Sequence, residues 1–116
     1  MSSVRRSKKV QVFSAGVMTG TTVLTSTAVD CSEIDSVGIQ MVWTGTPNGT
    51  FACQVSDDDG TTWSIFTLSP VLAAAAGGAS NTYSSVANFG HQKIRFTYTN
   101  TSSTGVLNGT VYIKGF

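Results

Sequence analysis

The sequence predicts an all-β fold, namely a single antiparallel β-sandwich of about eight strands with jelly-roll or immunoglobulin-like connectivity and a basic N-terminal arm. Only 11% of the 116 residues are charged, against about 25% in an average soluble domain, and Gly alone accounts for 12 residues. Short runs of alternating apolar and polar residues recur at near-even spacing, separated by turns that contain Gly, Asn or Pro. Helical bundles and coiled coils need helix-forming residues at about half of all positions, so they are excluded.

The first half of the sandwich is predicted to contain two pairs of strands. Residues 10–13 and 21–27 are expected to pair around a Gly-containing turn at residues 16–20. In the next strand, apolar side chains recur at every second position and are expected to face the core: Val37, Ile39, Met41 and Trp43. The turn at residues 46–49, Thr-Pro-Asn-Gly, is typical of a chain reversal, because Pro fixes φ and Asn-Gly tolerates positive φ. Residues 51–55 are then expected to complete a hairpin.

The second half is predicted to contain a further hairpin and three more strands. The hairpin turns at residues 57–60 and resumes near Trp63. Residues 70–80 are expected to form an irregular loop, because their four-alanine run is too short for a stable helix. The remaining strands are predicted over residues 83–86, 93–99 and 106–114. The side chains expected on the inner faces of the last two are Ile94, Phe96, Tyr98, Leu107, Val111 and Ile113.

Positive charge is concentrated at the N-terminus. Four of the seven basic residues lie within the first nine positions: Arg5, Arg6, Lys8 and Lys9. From Val10 onward, three basic residues face six acidic ones, which leaves a net charge of −3. The chain is therefore divided into a basic arm, residues 1–9, and a sandwich domain, residues 10–116.

The arm is expected to bind an acidic surface on a partner protein. Val4 is the one apolar side chain among residues 2–9, so the arm has no core of its own and a partner is expected to order it. Deleting residues 2–9 is therefore expected to leave the sandwich folded. Four charges support only weak binding to phosphates, and nucleic acid is not an expected partner.

Export and membrane insertion are not expected. Polar residues, among them Gln11, Ser14 and Thr19, interrupt the stretch that resembles a signal-peptide core. No run approaches the roughly 20 apolar residues of a membrane-spanning helix. The protein is expected to be made in a cytoplasm and to have no membrane partner.

Metal and cofactor chemistry lacks the residue types that it requires. His91 is the single histidine and is expected to lie at the surface at the start of a strand, and no Cys-x-x-Cys pair exists. Without an export signal, Cys31 and Cys53 are expected to be reduced, buried thiols, with a disulfide across the sandwich as the alternative. No metal and no cofactor are expected.

Residues 56–63 read S-x-D-x-G-x-T-W and resemble the Asp-box, a hairpin motif of sialidases and many unrelated β-proteins. The resemblance implies a structural turn built by Ser56, Asp58, Gly60, Thr62 and Trp63. Asp58 is expected to accept hydrogen bonds from backbone N–H groups, and Gly60 is expected to adopt positive φ. Calcium binding by the three adjacent aspartates is the less favoured alternative, because neighbouring side chains in a tight turn diverge. No catalytic constellation accompanies the motif, so an enzyme is not expected.

Exposed aromatic side chains are the feature that would indicate a carbohydrate-binding surface. Trp43 and Trp63 fall on positions expected to face the core. Tyr112 alternates out of phase with the inward-facing Val111 and Ile113, so its ring is expected to be exposed. A single exposed tyrosine is a weak indication of glycan binding.

Two longer segments, residues 39–63 and 91–115, resemble small virion proteins of tailed bacteriophages. The matching positions in the first segment are Gln40, Val42, Trp43, Thr44, Gly45, Thr46, Pro47, Gly49, Thr50, Phe51, Ser56, Asp58, Gly60 and Trp63. Those in the second are Lys93, Tyr98, Thr99, Gly105, Leu107 and Asn108. The resemblance extends over roughly residues 28–115.

This resemblance implies a structural component of a virion, assembled in the host cytoplasm. The most specific expectation is a capsid decoration, or cement, protein that stabilises the head. The partners implied are the major capsid protein or other virion subunits, with the chain itself forming a trimer or dimer. The alternative is a carbohydrate- or receptor-binding module of a phage tail or fibre.

Overall fold

The computed structural model describes residues 6–21, 23–32, 34–68 and 81–115, which form β-strands and connecting turns. The strands in this part of the chain are β1 (Arg6–Thr19), β2 (Val23–Thr25), β3 (Val29–Asp30), β4 (Ile34–Gly45), β5 (Asn48–Ser56), β6 (Ser64–Ile65), β7 (Asn81–Ala87), β8 (Lys93–Ser102) and β9 (Thr104–Gly115). These residues include no helix, and hence none long and apolar enough to span a lipid bilayer. The predicted all-β class is confirmed, whereas the predicted loop at residues 70–80 lies outside the described residues.

The strands form two antiparallel sheets. The first sheet has the order β1-β9-β4-β7 and the second has the order β2-β8-β5-β6, with β3 also pairing with β8. Because β2 and β3 pair with successive parts of β8, they act as one interrupted strand. Counted in this way, eight strands lie in the orders 1-8-3-6 and 2-7-4-5, which is the connectivity of a jelly roll. The strand order therefore selects the jelly roll over the immunoglobulin-like alternative.

The core lies between the two sheets and is built from the alternating residues that the sequence predicts. Met41 from β4, Phe96 from β8 and Val111 from β9 are all fully buried. The remaining residues predicted to face the core are buried as well: Val37, Ile39, Trp43, Ile94, Tyr98, Leu107 and Ile113. Every buried side-chain nitrogen and oxygen of the described residues has a hydrogen-bond partner. The alternation is thus a reliable local signal, because it needs only the pleat of one strand.

The hairpin predicted at residues 46–49 is wrong, because β4 and β5 belong to different sheets. β4 pairs with β9 up to Gly45 and Gly105, and β5 then pairs with β8. The chain therefore passes from one sheet to the other at a corner, where the Thr46 amide donates to the carbonyl oxygen of Thr104 at 3.0 Å. The Pro-Asn-Gly turn signal marks a local change of direction, but it does not determine which strands pair.

The predicted pairing of residues 10–13 with residues 21–27 is also wrong. β1 pairs with β9 in the first sheet, and β2 pairs with β8 in the second. Gly16 and its neighbours lie inside β1, beside the register shifts between Gln11 and Gly16, and do not form a turn. The chain changes sheet after Thr19, at Gly20, whose φ is 51°.

The expected boundary between arm and sandwich, at residue 9, falls inside β1. Arg6 pairs with Gly115 and Lys9 pairs with Tyr112, so this basic stretch is held by the chain's own last strand. No sequence pattern reveals this pairing, because the stretch is held by backbone hydrogen bonds, which depend little on side-chain type. Lysines are moreover common on edge strands, where they discourage unwanted pairing. Residues 1–5, including Arg5, lie outside the described residues.

Candidate functional site

The turn between β5 and β6 brings together all five residues expected there. The Ser56 hydroxyl donates to Asp58 Oδ1 at 2.8 Å and accepts from the Gly60 amide at 2.9 Å. Asp58 Oδ1 also accepts from the Thr62 amide at 2.7 Å. The Trp63 indole N–H donates to the carbonyl oxygen of Gly60 at 3.1 Å. The five residues are therefore joined by one continuous series of hydrogen bonds across a hairpin.

The residues of this turn suit its backbone conformation, and the turn in turn favours the ionised form of Asp58. Gly60 has φ of 88°, a conformation that costs glycine little, and Asp59 has φ of 60°. Hydrogen bonds from Thr62, followed by that from Ser56, lower the pKa of Asp58 to about 2. The carboxylate is therefore ionised near neutral pH, with one oxygen engaged by the turn itself.

A second set of contacts joins the turn to the start of β8. Asp57 Oδ2 lies 2.9 Å from His91 Nδ1, and Asp57 Oδ1 accepts from the Gln92 amide at 2.9 Å. The Gln92 side-chain oxygen accepts from the Asp59 amide at 2.7 Å, and Lys93 forms an ion pair with Asp59 at 3.1 Å. The hydrogen bond with His91, followed by that from Gln92, lowers the pKa of Asp57.

Sequence reasoning did not find this second set of contacts. His91 was expected to lie at the surface at the start of a strand, whereas its ring is half-buried beside the rings of Phe66 and Phe89 and contacts Asp57. The two partners are 34 residues apart, and their approach follows from the pairing of Ser56 with Lys93. No local pattern in the sequence could have revealed it.

The three aspartates of the turn do not converge on a common point. Asp57 binds His91 and Gln92, Asp58 binds within the turn, and Asp59 pairs with Lys93. The described part of the chain contains no group of three or more His, Cys, Asp or Glu side chains arranged to hold a metal ion. Chemically, the site fastens the hairpin to β8 and provides no assembled set of metal ligands.

Trp63 does not face the core, in contrast to the prediction from the sequence. The Arg95 guanidinium lies 4.2 Å from the centre of its ring, and Arg95 Nε donates to the Gln54 side-chain oxygen at 2.7 Å. Because Ile94 and Phe96 point into the core, Arg95 and the ring stacked on it lie on the outer face of the second sheet. Trp43, by contrast, is buried as predicted.

The two described lysines of the predicted arm lie at the surface. The side chains of Lys8 and Lys9 are exposed, and β1, which contains them, is held by its pairing with β9.

Cys31 and Cys53 are buried free thiols, and burial raises the pKa of Cys31 to about 11 and that of Cys53 to about 12. Neither thiol is therefore ionised to any extent near neutral pH, which makes both poor nucleophiles.

Comparison with known proteins finds solved structures of similar fold but no match in sequence. No protein-family model matches the chain, and neither does any curated protein. The SPBc2 prophage-derived protein YomS is similar over 99% of this chain and 98% of its own, with 10% identity and a TM-score of 0.66. A structure of infectious bursal disease virus, strain Gx, matches 97% of this chain with 13% identity and a TM-score of 0.64. The match spans 32% of that viral chain.

A third solved structure belongs to disulfide-linked pili, the Bacillus endospore appendages. It matches 97% of this chain and 88% of its own, with 13% identity and a TM-score of 0.52. At identities this low, the three likenesses concern the fold, and they extend over nearly the whole of this chain.

Proposed function

We propose that this chain is a structural subunit of a bacteriophage or related viral particle, and most specifically a capsid decoration protein. The observation that carries the proposal is the jelly roll itself. It is shared end to end with a prophage-derived protein and, over 97% of this chain, with part of a viral particle protein. Jelly rolls are a common fold of viral capsid subunits.

The sequence resemblance to phage virion proteins supports the same proposal. Residues 39–63 build the corner between the sheets and the β5–β6 turn, and residues 91–115 build the β8–β9 part of that corner. Several of the matching residues, among them Gly45, Gly105 and Asp58, serve the fold. This supports a structural rather than a catalytic role.

Three exposed valines on the first sheet provide a surface for contact between subunits. Val17, Val42 and Val106 are 57%, 40% and 39% exposed. Val17 pairs directly with Val106, and Val42 lies on the neighbouring strand β4. Exposed apolar side chains that lie together mark interaction sites more often than isolated ones do. We assign this valine patch to contacts with a second copy of the chain in a dimer or trimer.

Copy number in purified particles tests the proposal. Quantitative mass spectrometry should find the chain in a fixed ratio to the major capsid protein. A few copies per particle would instead support the alternative, a module of the tail or fibre. Absence from purified particles would contradict both.

Light scattering after gel filtration tests the subunit contact. The wild-type protein should elute as a dimer or trimer, and Val106→Asp should shift it to a monomer. Ile65→Asp is the matched control, because Ile65 is 69% exposed on the second sheet and outside the patch. A monomeric wild type, or equal behaviour of the two variants, would exclude the valine patch as the contact.

A further inference from the structure

The opposite end of the first sheet from the valine patch has a different chemical character. Directly paired residues share a face of a sheet, so the strand register maps its outer surface. Two adjacent rows cross that surface: Lys9, Tyr112, Gly38 and Ser85 in one, and Ser7, Lys114, Ser36 and Ala87 in the next. The surface therefore combines an exposed aromatic ring, two cations and several hydroxyl groups around a glycine.

Packing within the fold does not require a glycine at position 38. A Cβ placed there would meet only the Tyr112 carbonyl oxygen at 3.6 Å and Tyr112 Cβ at 3.8 Å, which are ordinary contacts. At Gly109, in contrast, a Cβ would lie 2.6 Å from Met41 Sδ, so packing demands that glycine. A glycine inside a strand weakens the strand and often marks a place where a ligand approaches closely. Gly38 fits that description.

The missing side chain leaves a depression in the sheet surface. It has a volume of about 360 Å³ and is lined by Ser36, Gly38, Ser85, Ala87, Tyr112 and Lys114. Sites for small molecules have volumes of about 300–1,000 Å³, so the depression is large enough for one sugar ring. The Tyr112 ring, 44% exposed, stands at its edge, where the apolar face of a pyranose can stack.

The charge of this surface selects the kind of sugar. Lys9 pairs with Tyr112, and Lys114 Nζ lies 5.6 Å from the centre of the Tyr112 ring. The four strands of the first sheet contain one acidic residue, Asp35, whose carboxylate accepts a hydrogen bond from the Ser36 hydroxyl at 3.1 Å. An anionic group above Tyr112 would therefore meet two ammonium groups.

We propose that the outer face of the first sheet binds an acidic glycan, with one ring over Gly38 against Tyr112 and its carboxylate at Lys9 and Lys114. The hydroxyls of Ser36 and Ser85 are placed to bond the hydroxyls of the sugar. The proposal concerns the isolated protein and does not depend on its position in a particle, so its failure leaves the proposed structural function intact.

Calorimetric titration of the full-length protein tests the proposal. The probes are short oligosaccharides that contain galacturonate, glucuronate or sialic acid, together with their neutral counterparts. At least one acidic probe should bind, with an affinity that falls as salt is raised and with its neutral counterpart at least tenfold weaker. Tyr112→Ala should weaken that binding at least tenfold.

Gly38→Val is the most informative variant, because valine favours a strand and its Cβ fits the backbone. Its melting temperature should equal or exceed that of the wild type, while its affinity for the acidic probe falls at least tenfold. Gly90→Val is the matched control, because a Cβ at Gly90 has no atom within 4 Å and the residue does not line the depression. The proposal is overturned if no acidic probe binds, if neutral probes bind equally well, or if Gly38→Val binds like the wild type.

Discussion

At the scale of single residues, Asn100 shows how a buried polar group can hold the jelly roll together. Its Oδ1 accepts from the Tyr98 hydroxyl at 2.7 Å. Its Nδ2 donates to the carbonyl oxygens of Gly20 at 2.9 Å and Ser103 at 3.2 Å. One amide thus ties β8 to two places where the chain changes sheet.

Asn100→Asp should destabilise the protein by about 1–3 kcal/mol, because a carboxylate cannot donate to the carbonyl oxygens and buries an uncompensated acceptor. Urea unfolding measures the change. Asn108→Asp is the matched control, since Asn108 is exposed and its Oδ1 accepts from the Ala15 amide at 3.0 Å, a role that aspartate retains. Equal stability of the two variants would contradict the assigned role of Asn100.

The Asp58 carboxylate makes stability depend on acid. Its pKa is about 2 in the folded protein, below the ordinary value of 3.8, because hydrogen bonds from Thr62 and Ser56 favour the ionised form. The stabilisation is therefore complete above about pH 4 and is lost as the pH falls toward about pH 2. Asp57, lowered in pKa by His91, acts in the same direction.

Asp58→Asn should consequently flatten part of the acid limb of a plot of melting temperature against pH. The amide oxygen still accepts from Thr62, so the fold is retained, but no proton is taken up. Near neutral pH the wild type should have a higher melting temperature than the variant, and the two melting temperatures should converge near pH 2. Parallel curves over the whole range would show that Asp58 does not contribute to the acid response.

At the scale of elements, the corner between β4–β9 and β5–β8 is the feature that defines the fold. Gly45 and Gly105 face each other there, and Gly45 has φ of 84°. A Cβ at Gly105 would collide with the carbonyl oxygen of Thr44 and would lie 3.0 Å from Pro47 Cδ. Glycine at this position is therefore required by the close approach of two backbones.

Gly105→Ala should cost about 1–3 kcal/mol, because the overpacked Cβ meets backbone and a buried proline ring that have little freedom to move. Thermal or urea unfolding measures this cost. Gly90→Ala, with no atom within 4 Å of the added Cβ, should be nearly neutral. If Gly105→Ala is as stable as the control, the corner is more deformable than its geometry indicates.

The elements also show which information the sequence contains locally. The inward alternation of Met41, Phe96 and Val111 was predictable, because it depends on one strand at a time. Strand partners were not, since the turn at residues 46–49 directs the chain without specifying the sheet that it enters. The contact of Asp57 with His91 was hidden for the same reason, because it requires β5 and β8 to be neighbours.

At the scale of the whole molecule, the first and last strands of the described chain pair with each other in the first sheet. β1 pairs with β9 from Arg6 and Gly115 to Thr19 and Thr104. Deleting residues 2–9 therefore removes four residues of β1 together with the charges that they carry. Such a truncation should lower the melting temperature, contrary to the expectation for a detached arm, and it cannot test binding by charge alone.

A variant that removes three positive charges without shortening β1 separates strand pairing from binding by charge. Arg5→Gln, Arg6→Gln and Lys8→Gln together should keep β1 paired, because the backbone hydrogen bonds do not depend on these side chains, and should keep Lys9 for the glycan face. The melting temperature should hardly change. If these charges bind an acidic surface of the particle, the variant should attach more weakly than the wild type. Raised salt should weaken wild-type attachment in the same way, because exposed charges are screened within about 8 Å at physiological ionic strength. Full occupancy of particles by the variant at high salt would assign attachment to the faces of the sandwich.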